Sequence, residues 1–301
     1  LSRQSDRLIH LSRSKGMTRR MLTYIIQKDI ELKEIYYLSP KDLTKYFHIP
    51  EKKAIPLYQD LHNSDLIDQI KQDKKLYSII SIFDQAYPTS LKTIKDPPLV
   101  LYTLGNLNLL SRVPSISVIG TRKPTVEARK KTKLIVQPLV EKGWVIVSGM
   151  ARGIDTYAHQ EALAYNGNTI AVLGSGFNHI YPKENHALFT EISKSGIVLS
   201  EYPPGAAASR FHFPERNRII SGLTFGTLVI EATEKSGTLI TVDQALDQGR
   251  EVYAIPGSPL VAQTKGCHRM IQEGAKLVID AQCIFEDWDT QGSYFASISR
   301  D

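Results

Sequence analysis

The stretch SISVIGTRKPTVEARKKTKLIVQPLVEKGWVIVSGMARGID, residues 115–155, decides the fold. Ile116–Ile119 is a short, almost wholly apolar run that ends on Gly120. A helical segment over 125–142 follows, and a second apolar run, Trp144–Val147, ends on Ser148-Gly149. Strands that lack polar alternation are covered on both faces, and a helix between two of them predicts a parallel βαβ unit. The alternation continues outward. Further strands are predicted at Thr169–Leu173, Ile197–Leu199, Leu228–Ile230, Val252–Ile255 and Leu277–Ile279, with helices near 155–165, 184–194, 214–221, 238–248 and 266–273. The expected fold class is α/β: an extended Rossmann-like, doubly wound, mainly parallel sheet with right-handed crossovers, preceded by a small helical N-terminal domain.

That helical domain is predicted over 1–75, where apolar residues recur at helical spacing in Met21, Leu22, Tyr24, Ile25, Ile26 and in Leu57, Tyr58, Leu61. Breaks fall at Lys15-Gly16, Ser39-Pro40 and Ile49-Pro50. The turn Lys15-Gly16-Met17-Thr18, followed by Arg19 and Arg20, has some likeness to a helix-hairpin-helix phosphate contact. Residues 76–114 are expected to connect the domains, with strand-like runs at 77–83 and Leu99–Thr103. The Rossmann-like domain is assigned to 115–287, and 288–301 to a C-terminal tail.

Composition narrows the function. Of 301 residues, 42% are hydrophobic and 23% charged, as in ordinary globular proteins. No apolar run reaches the ~20 residues that span a bilayer. The polar, basic start has no apolar core of a secretory signal. Cys267 and Cys283 are isolated, with no zinc-type spacing, so a reducing compartment and a cytoplasmic location are expected, and no metal site. The net charge of +6 permits a polyanionic partner. Residues 1–75 hold 15 Lys/Arg against 10 Asp/Glu, a net of +5, whereas the remainder holds 22 against 21. An anion site in the larger part must therefore be a local cluster.

In an open parallel sheet, ligands bind beyond the carboxyl ends of the strands. Here those ends are rich in anion-binding residue types. The first exit is Gly120-Thr121-Arg122-Lys123-Pro124-Thr125, where Gly120 admits close backbone approach and Thr125 is expected to cap the next helix. GxGxxG is absent, which disfavours a dinucleotide, and no cofactor is expected. The second exit carries Ser148, Gly149 and Gly153, with Asp155 expected as a helix N-cap. The third carries Phe177, Tyr181 and Lys183, with rings that can stack on bases. The segment Phe211-His212-Phe213-Pro214-Glu215-Arg216-Asn217-Arg218 interleaves aromatics with Arg216 and Arg218, which can fork onto phosphate, and Asn217, which can meet a base edge. Ser236 and Gly237 open a further helix and offer amides. So many anion-binding exits exceed the needs of one nucleotide and suit a strand of nucleic acid.

These residues carry a resemblance. Gly120-Thr-Arg, Ser148-Gly-Met-Ala-Arg-Gly-Ile-Asp155, Phe213-Pro-Glu-Arg-Asn-Arg-Ile-Ile-Ser-Gly222, Ser236-Gly-Thr-Leu-Ile-Thr241 and Gly266-Cys-His-Arg-Met-Ile-Gln-Glu-Gly-Ala275 resemble the DprA/Smf family of DNA-processing proteins of natural transformation, in order over about 76–283. The resemblance implies an extended Rossmann fold that binds single-stranded DNA without strong sequence preference, loads the recombinase RecA and shields the strand from nucleases. It implies a non-enzymatic mediator. The family's Gly-Ser-Arg turn falls on Gly120, Thr121 and Arg122, and its basic pocket on Arg122, Lys183, Arg216 and Arg218. Dimerisation is implied through the far end of the domain, with His268, Met270, Ile271 and Leu277 as an apolar self-contact. The N-terminal helices are similar to a sterile-alpha-motif-like bundle. The 18 residues after Cys283 are too few for the winged-helix domain of many relatives.

Two enzyme classes find less support in the residues. Gly222-x3-Gly226-Thr227-x3-Glu231 is loosely similar to a phosphoribohydrolase signature, with Glu231 as its catalytic carboxylate. Its leading Pro-Gly-Gly is absent and its Glu spacing is longer by one. A nuclease or ATPase lacks support, since there is no GxxxxGK[ST] loop and the carboxylates are scattered.

Overall fold

The computed structural model describes residues 1–300, in two compact units. The first comprises Leu1–Tyr87 with Pro98–Tyr102, the second Pro88–Pro97 with Thr103 onward.

The first unit holds α1 (Gln4–Arg13), α2 (Arg19–Lys28), α3 (Pro40–Phe47), α4 (Glu51–Leu61) and α5 (Ser64–Leu76), then β1 (Ser78–Ser81). Capping side chains set several starts. Thr18 accepts from the Met21 amide, Ser39 from Asp42, and Asn63 from Asp65. Pro40 follows its cap, where its missing amide costs nothing. Leu8, Leu11, Ile25, Ile35, Leu43 and Leu57 are wholly buried, so the helical periodicity marks the core-facing sides. The turn after α1 is internally satisfied. Its Lys15 amide donates to Asp60 at 2.7 Å, so that amide faces a carboxylate rather than open solvent.

Between and after these lie α6 (Thr89–Lys92) and β2 (Val100–Gly105), and then the main alternation. It runs β3 (Ser115–Ile119), α7 (Ala128–Glu141), β4 (Val145–Ser148), α8 (Ile154–Ala164), β5 (Asn168–Leu173), α9 (His186–Ser195) and β6 (Ile197–Ser200). It continues with α10 (His212–Gly222), β7 (Gly226–Val229), α11 (Thr238–Asp247), β8 (Glu251–Ala254), α12 (Ala262–Gln272), β9 (Lys276–Leu277) and α13 (Gln282–Arg300). Within the second unit the strand order is β6-β5-β4-β3-β7-β8-β9, each neighbouring pair parallel. The α/β, doubly wound expectation is met. The chain winds outward from β3 to β6, then returns to β7 on the other side of β3. Between β3 and β7 the connections leave in opposite directions and open a crevice at the strands' carboxyl ends.

Ile116, Val118, Ile146 and Leu228 are fully buried beneath Ile135, Leu139 and Ala158 of the covering helices. The predicted tail 288–301 is corrected here. It continues α13, and Trp288 meets Trp144 at 5.4 Å and Phe225 at 5.2 Å, while Phe295 is buried against Phe225. These rings close the amino-terminal end of the sheet, so the last helix belongs to the core.

Candidate functional site

Beyond the carboxyl ends of β3 and β4, a cavity of about 450 Å³ opens between their exit loops and helices α10 and α11. Gly120, Arg122, Ala151 and Asp155 form one wall; Arg210, Phe213, Arg216 and Asn217 form the second; Ser236, Gly237, Thr238 and Thr241 form the third. A narrower recess beside it is lined by Gly149, Arg152, Gly174, Tyr181 and Pro182, and shares Arg122, Phe213 and Arg216.

The backbone approaches closely where glycine allows it. A Cβ at Gly120 would lie 2.6 Å from Ile154 and 2.7 Å from the Glu231 carbonyl oxygen. Gly153 sits at φ +78°, a region that favours glycine, and a Cβ there would collide with the Thr121 carbonyl oxygen. Asp155 braces the loop between them. Its carboxylate accepts from the Gly149 amide at 3.2 Å and the Ala151 amide at 3.3 Å. It does not cap α8, because Gly153 occupies the cap position. Burial raises the Asp155 pKa, opposed by Arg216 and by those two amides.

Arg122 is exposed, and its guanidinium lies 5.5 Å from the Phe213 ring centroid. Tyr181, 46% exposed, packs against the other partner of this cluster, with Tyr181 and Phe213 ring centroids 5.6 Å apart. The site therefore offers cation and ring face together, the combination that binds a phosphate and a base. Arg210, which the sequence reading missed by starting its motif at Phe211, lines the same cavity and lies 4.8 Å over Phe211. A base immediately before an aromatic run was the available signal.

The two arginines of α10 behave differently from Arg122. Arg216 is buried and donates to the carbonyl oxygens of Gly149 and, at 2.7 Å, Val172. Burial lowers its pKa to about 10, partly offset by Asp155, so it stays cationic at neutral pH. Its Nε has no hydrogen-bond partner among the described residues. Arg216 is thus a fixed positive charge within the cavity wall. Arg218 corrects the expectation of a phosphate contact. It is buried away from the cavity, its Nη2 donates to both carboxylate oxygens of Glu201 at 2.7 and 2.8 Å, and its Nε lies 3.6 Å from Asp96.

Other expected site residues support the loops. Thr121 is buried, its amide donating to Glu231 and its hydroxyl accepting from the Lys123 amide. Ser148 is buried and donates to Val118 at 2.7 Å. Ser236 Oγ accepts from the Thr238 amide at the start of α11, while Gly237 stays exposed at the cavity edge. Lys183 is exposed next to Pro182 of the recess, and Phe177 is buried against Phe189 rather than open for stacking. Thr125 does not cap α7. Its amide and hydroxyl donate to Glu231 at 2.9 and 2.6 Å, and Lys131 Nζ joins them at 2.8 Å. Glu231 is wholly buried, satisfied three times over and absent from the cavity lining, so it pins the entry of α7 instead of facing a substrate.

At the far end, Met270 corrects the expected self-contact, since it is 2% exposed within the core. His268 pairs with the backbone of Gly257, and Ile271 is half-buried. Leu277 and Ile279 are exposed at the β9 edge. Among the described residues no helix is long and apolar enough to cross a membrane.

The family model for DNA recombination-mediator protein A matches residues 78–289. DNA processing protein DprA of Bacillus subtilis is 47% identical over 208 residues, covering 69% of this chain and 70% of its own. DNA processing protein DprA of Streptococcus pneumoniae is 45% identical over 220 residues, covering 73% and 77%. The X-ray structure of DprA from S. pneumoniae superimposes with a TM-score of 0.84 at 37% identity, covering 94% of this chain and 98% of that one. A Helicobacter pylori DNA processing protein A structure, described for its single-stranded DNA binding mode, gives 0.64 at 28% identity, covering 71% and 96%.

Proposed function

This chain belongs to the DNA recombination-mediator protein A family, and on that premise we propose that it binds single-stranded DNA in the crevice beyond β3 and β4 as a non-enzymatic recombination mediator. One observation carries this reading: the exposed Arg122 guanidinium is set over the Phe213 ring at the mouth of a 450 Å³ cavity. Arg122 and Arg210 meet phosphates, and Lys183 extends their path. The open backbone at Gly237 lets the strand come close, while Gly120, Gly149 and Gly153 let the site's own loops pack together. Phe213 and Tyr181 take unstacked bases, and Asn217 bonds a base edge. A duplex keeps its base faces stacked and its pairing edges occupied, so preference for single strands follows. Arg216 adds a fixed charge within the wall.

The finer reading adds recruitment. The bound strand is shielded from nucleases and handed to RecA during transformation, in the cytoplasm, by a homodimer whose contact uses His268, Ile271 and Leu277. The apolar, exposed Leu277 and Ile279 support that surface. Titration of fluorescent oligo-dT and of matching duplex at two salt concentrations tests the core of the proposal. Single-strand binding that weakens steeply with salt, at about −0.7 in log–log slope per phosphate contact, is expected. Equal affinity for duplex sinks it.

A further inference from the structure

In the N-terminal unit several basic side chains are held by carboxylates. Arg3 and Lys74 hold Asp6, Arg7 and Lys33 hold Glu31, Arg13 holds Asp73, and Lys71 holds Asp68. Arg20, Lys28, Lys45, Lys52 and Lys53 have no carboxylate partner among the described residues. Arg20 and Lys28 lie on α2, Lys45 on α3, and Lys52 and Lys53 on the first turn of α4. Arg20, Tyr24 and Lys28 recur every fourth residue and make one stripe along α2. Tyr24 joins that stripe to the end of α3, because its ring lies 5.6 Å from His48. At the start of the stripe, Gly16 backs onto α4, where an added Cβ would lie 3.1 Å from Lys53 Cβ.

Rings interleave with these charges. Lys28 Nζ sits 5.8 Å over Tyr24, and Lys45 Nζ sits 5.2 Å over Tyr46, which is 54% exposed. Eight residues along α2 separate Arg20 from Lys28 by about 12 Å. That spacing lets the two cations meet different phosphates of one strand. Alternating cations and ring faces suit phosphates and bases together.

We propose that this face of the N-terminal unit is a second nucleic-acid-binding surface. Arg20, Lys28, Lys45, Lys52 and Lys53 take the phosphodiester backbone of a DNA strand, and Tyr24 and Tyr46 take its bases. The observations come from the N-terminal unit alone, and the test takes the proposed crevice as the tighter site, which a short strand fills first.

The test uses the full chain with the triple substitution Arg20→Ala, Lys28→Ala, Lys45→Ala. Binding is measured across a salt series with a short oligo-dT that fills one crevice and with one several times longer. The triple variant should flatten the long-strand salt slope by about 2, at about 0.7 per lost phosphate contact, and leave the short-strand slope unchanged. Tyr46→Ser alters one exposed ring without changing charge, and should weaken the long strand about tenfold. Wild-type slope and affinity on the long strand, in both variants, overturn the proposal and leave the face to an acidic protein partner. The crevice fails separately: Arg122→Ala would then keep short-strand binding while the triple variant loses long-strand binding.

Discussion

The guanidinium of Arg216 occupies the space that a side chain at Gly149 would need, and donates to the Gly149 carbonyl oxygen. This contact ties helix α10 to the exit of β4, and both line the recess that opens beside the main cavity. The site's backbone is therefore held by a buried charge, while its exposed charge, Arg122, is left to meet a ligand.

Gly149→Ala should destabilise the fold, because the new methyl group collides with a guanidinium that is itself hydrogen-bonded on two sides. Overpacking of this kind costs about 1–3 kcal/mol. Chemical denaturation checks it. A variant as stable as the wild type would show that Arg216 swings freely and is not a fixed wall.

Phe213→Leu keeps apolar bulk but removes the ring that Arg122 and Tyr181 share. A lost base stack is worth about 1–3 kcal/mol. Oligo-dT affinity should fall by about tenfold or more with little change in melting temperature. Equal affinity would mean that bases do not lie on this ring.

Lys131→Met removes one partner of the buried Glu231 carboxylate and leaves the charge with Thr125 alone. Breaking a buried pair from one side costs about 3–5 kcal/mol. The expected result is a marked drop in melting temperature, with single-strand affinity retained at temperatures where the variant is folded. Loss of binding in a fully stable variant would instead make Lys131 a ligand contact.

His159 sets a pH dependence. Burial lowers its pKa to about 3. The unfolded chain, with the ordinary value of 6.5, therefore binds the extra proton first as pH falls. Stability from this group is whole above pH ~6.5 and is lost progressively down to the folded value, about 2 kcal/mol of it by pH ~5. Denaturation of wild type and His159→Gln at several pH values tests this. The slope between pH ~6.5 and ~5 should be shallower in the variant; equal slopes would assign acid sensitivity elsewhere.

The strands were legible because each is apolar on both faces, and Ile116, Val118, Ile146 and Val172 are buried as that pattern requires. The strand exits were legible because glycine, serine and basic residues gather after each one. The roles of Arg216 and Arg218 were not. Two residues apart, they point about 200° apart around α10, yet both are buried, because this helix is covered by the exit loops on one side and by Glu201 and Asp96 on another. Residue type alone does not separate a guanidinium that waits for phosphate from one already spent on carbonyls or a carboxylate. The later part of helix α13, 288–301, is assigned to a tail on sequence, whereas the helix is one packed element from Gln282. Its apolar positions Ile284, Phe285, Trp288 and Phe295 were the overlooked sign of a packed face.

The most direct test of the central claim is a side-by-side titration of wild type and Arg122→Ala with fluorescent oligo-dT, with melting curves of both proteins. Arg122 is exposed and its side chain lies over the Phe213 ring, so its removal should leave the melting temperature near that of the wild type. Loss of a charge-assisted phosphate contact, about 1.5–3 kcal/mol, should weaken single-strand binding tenfold or more. A folded Arg122→Ala protein that binds oligo-dT as tightly as the wild type, with the same salt slope, would contradict the account and move the strand away from this crevice.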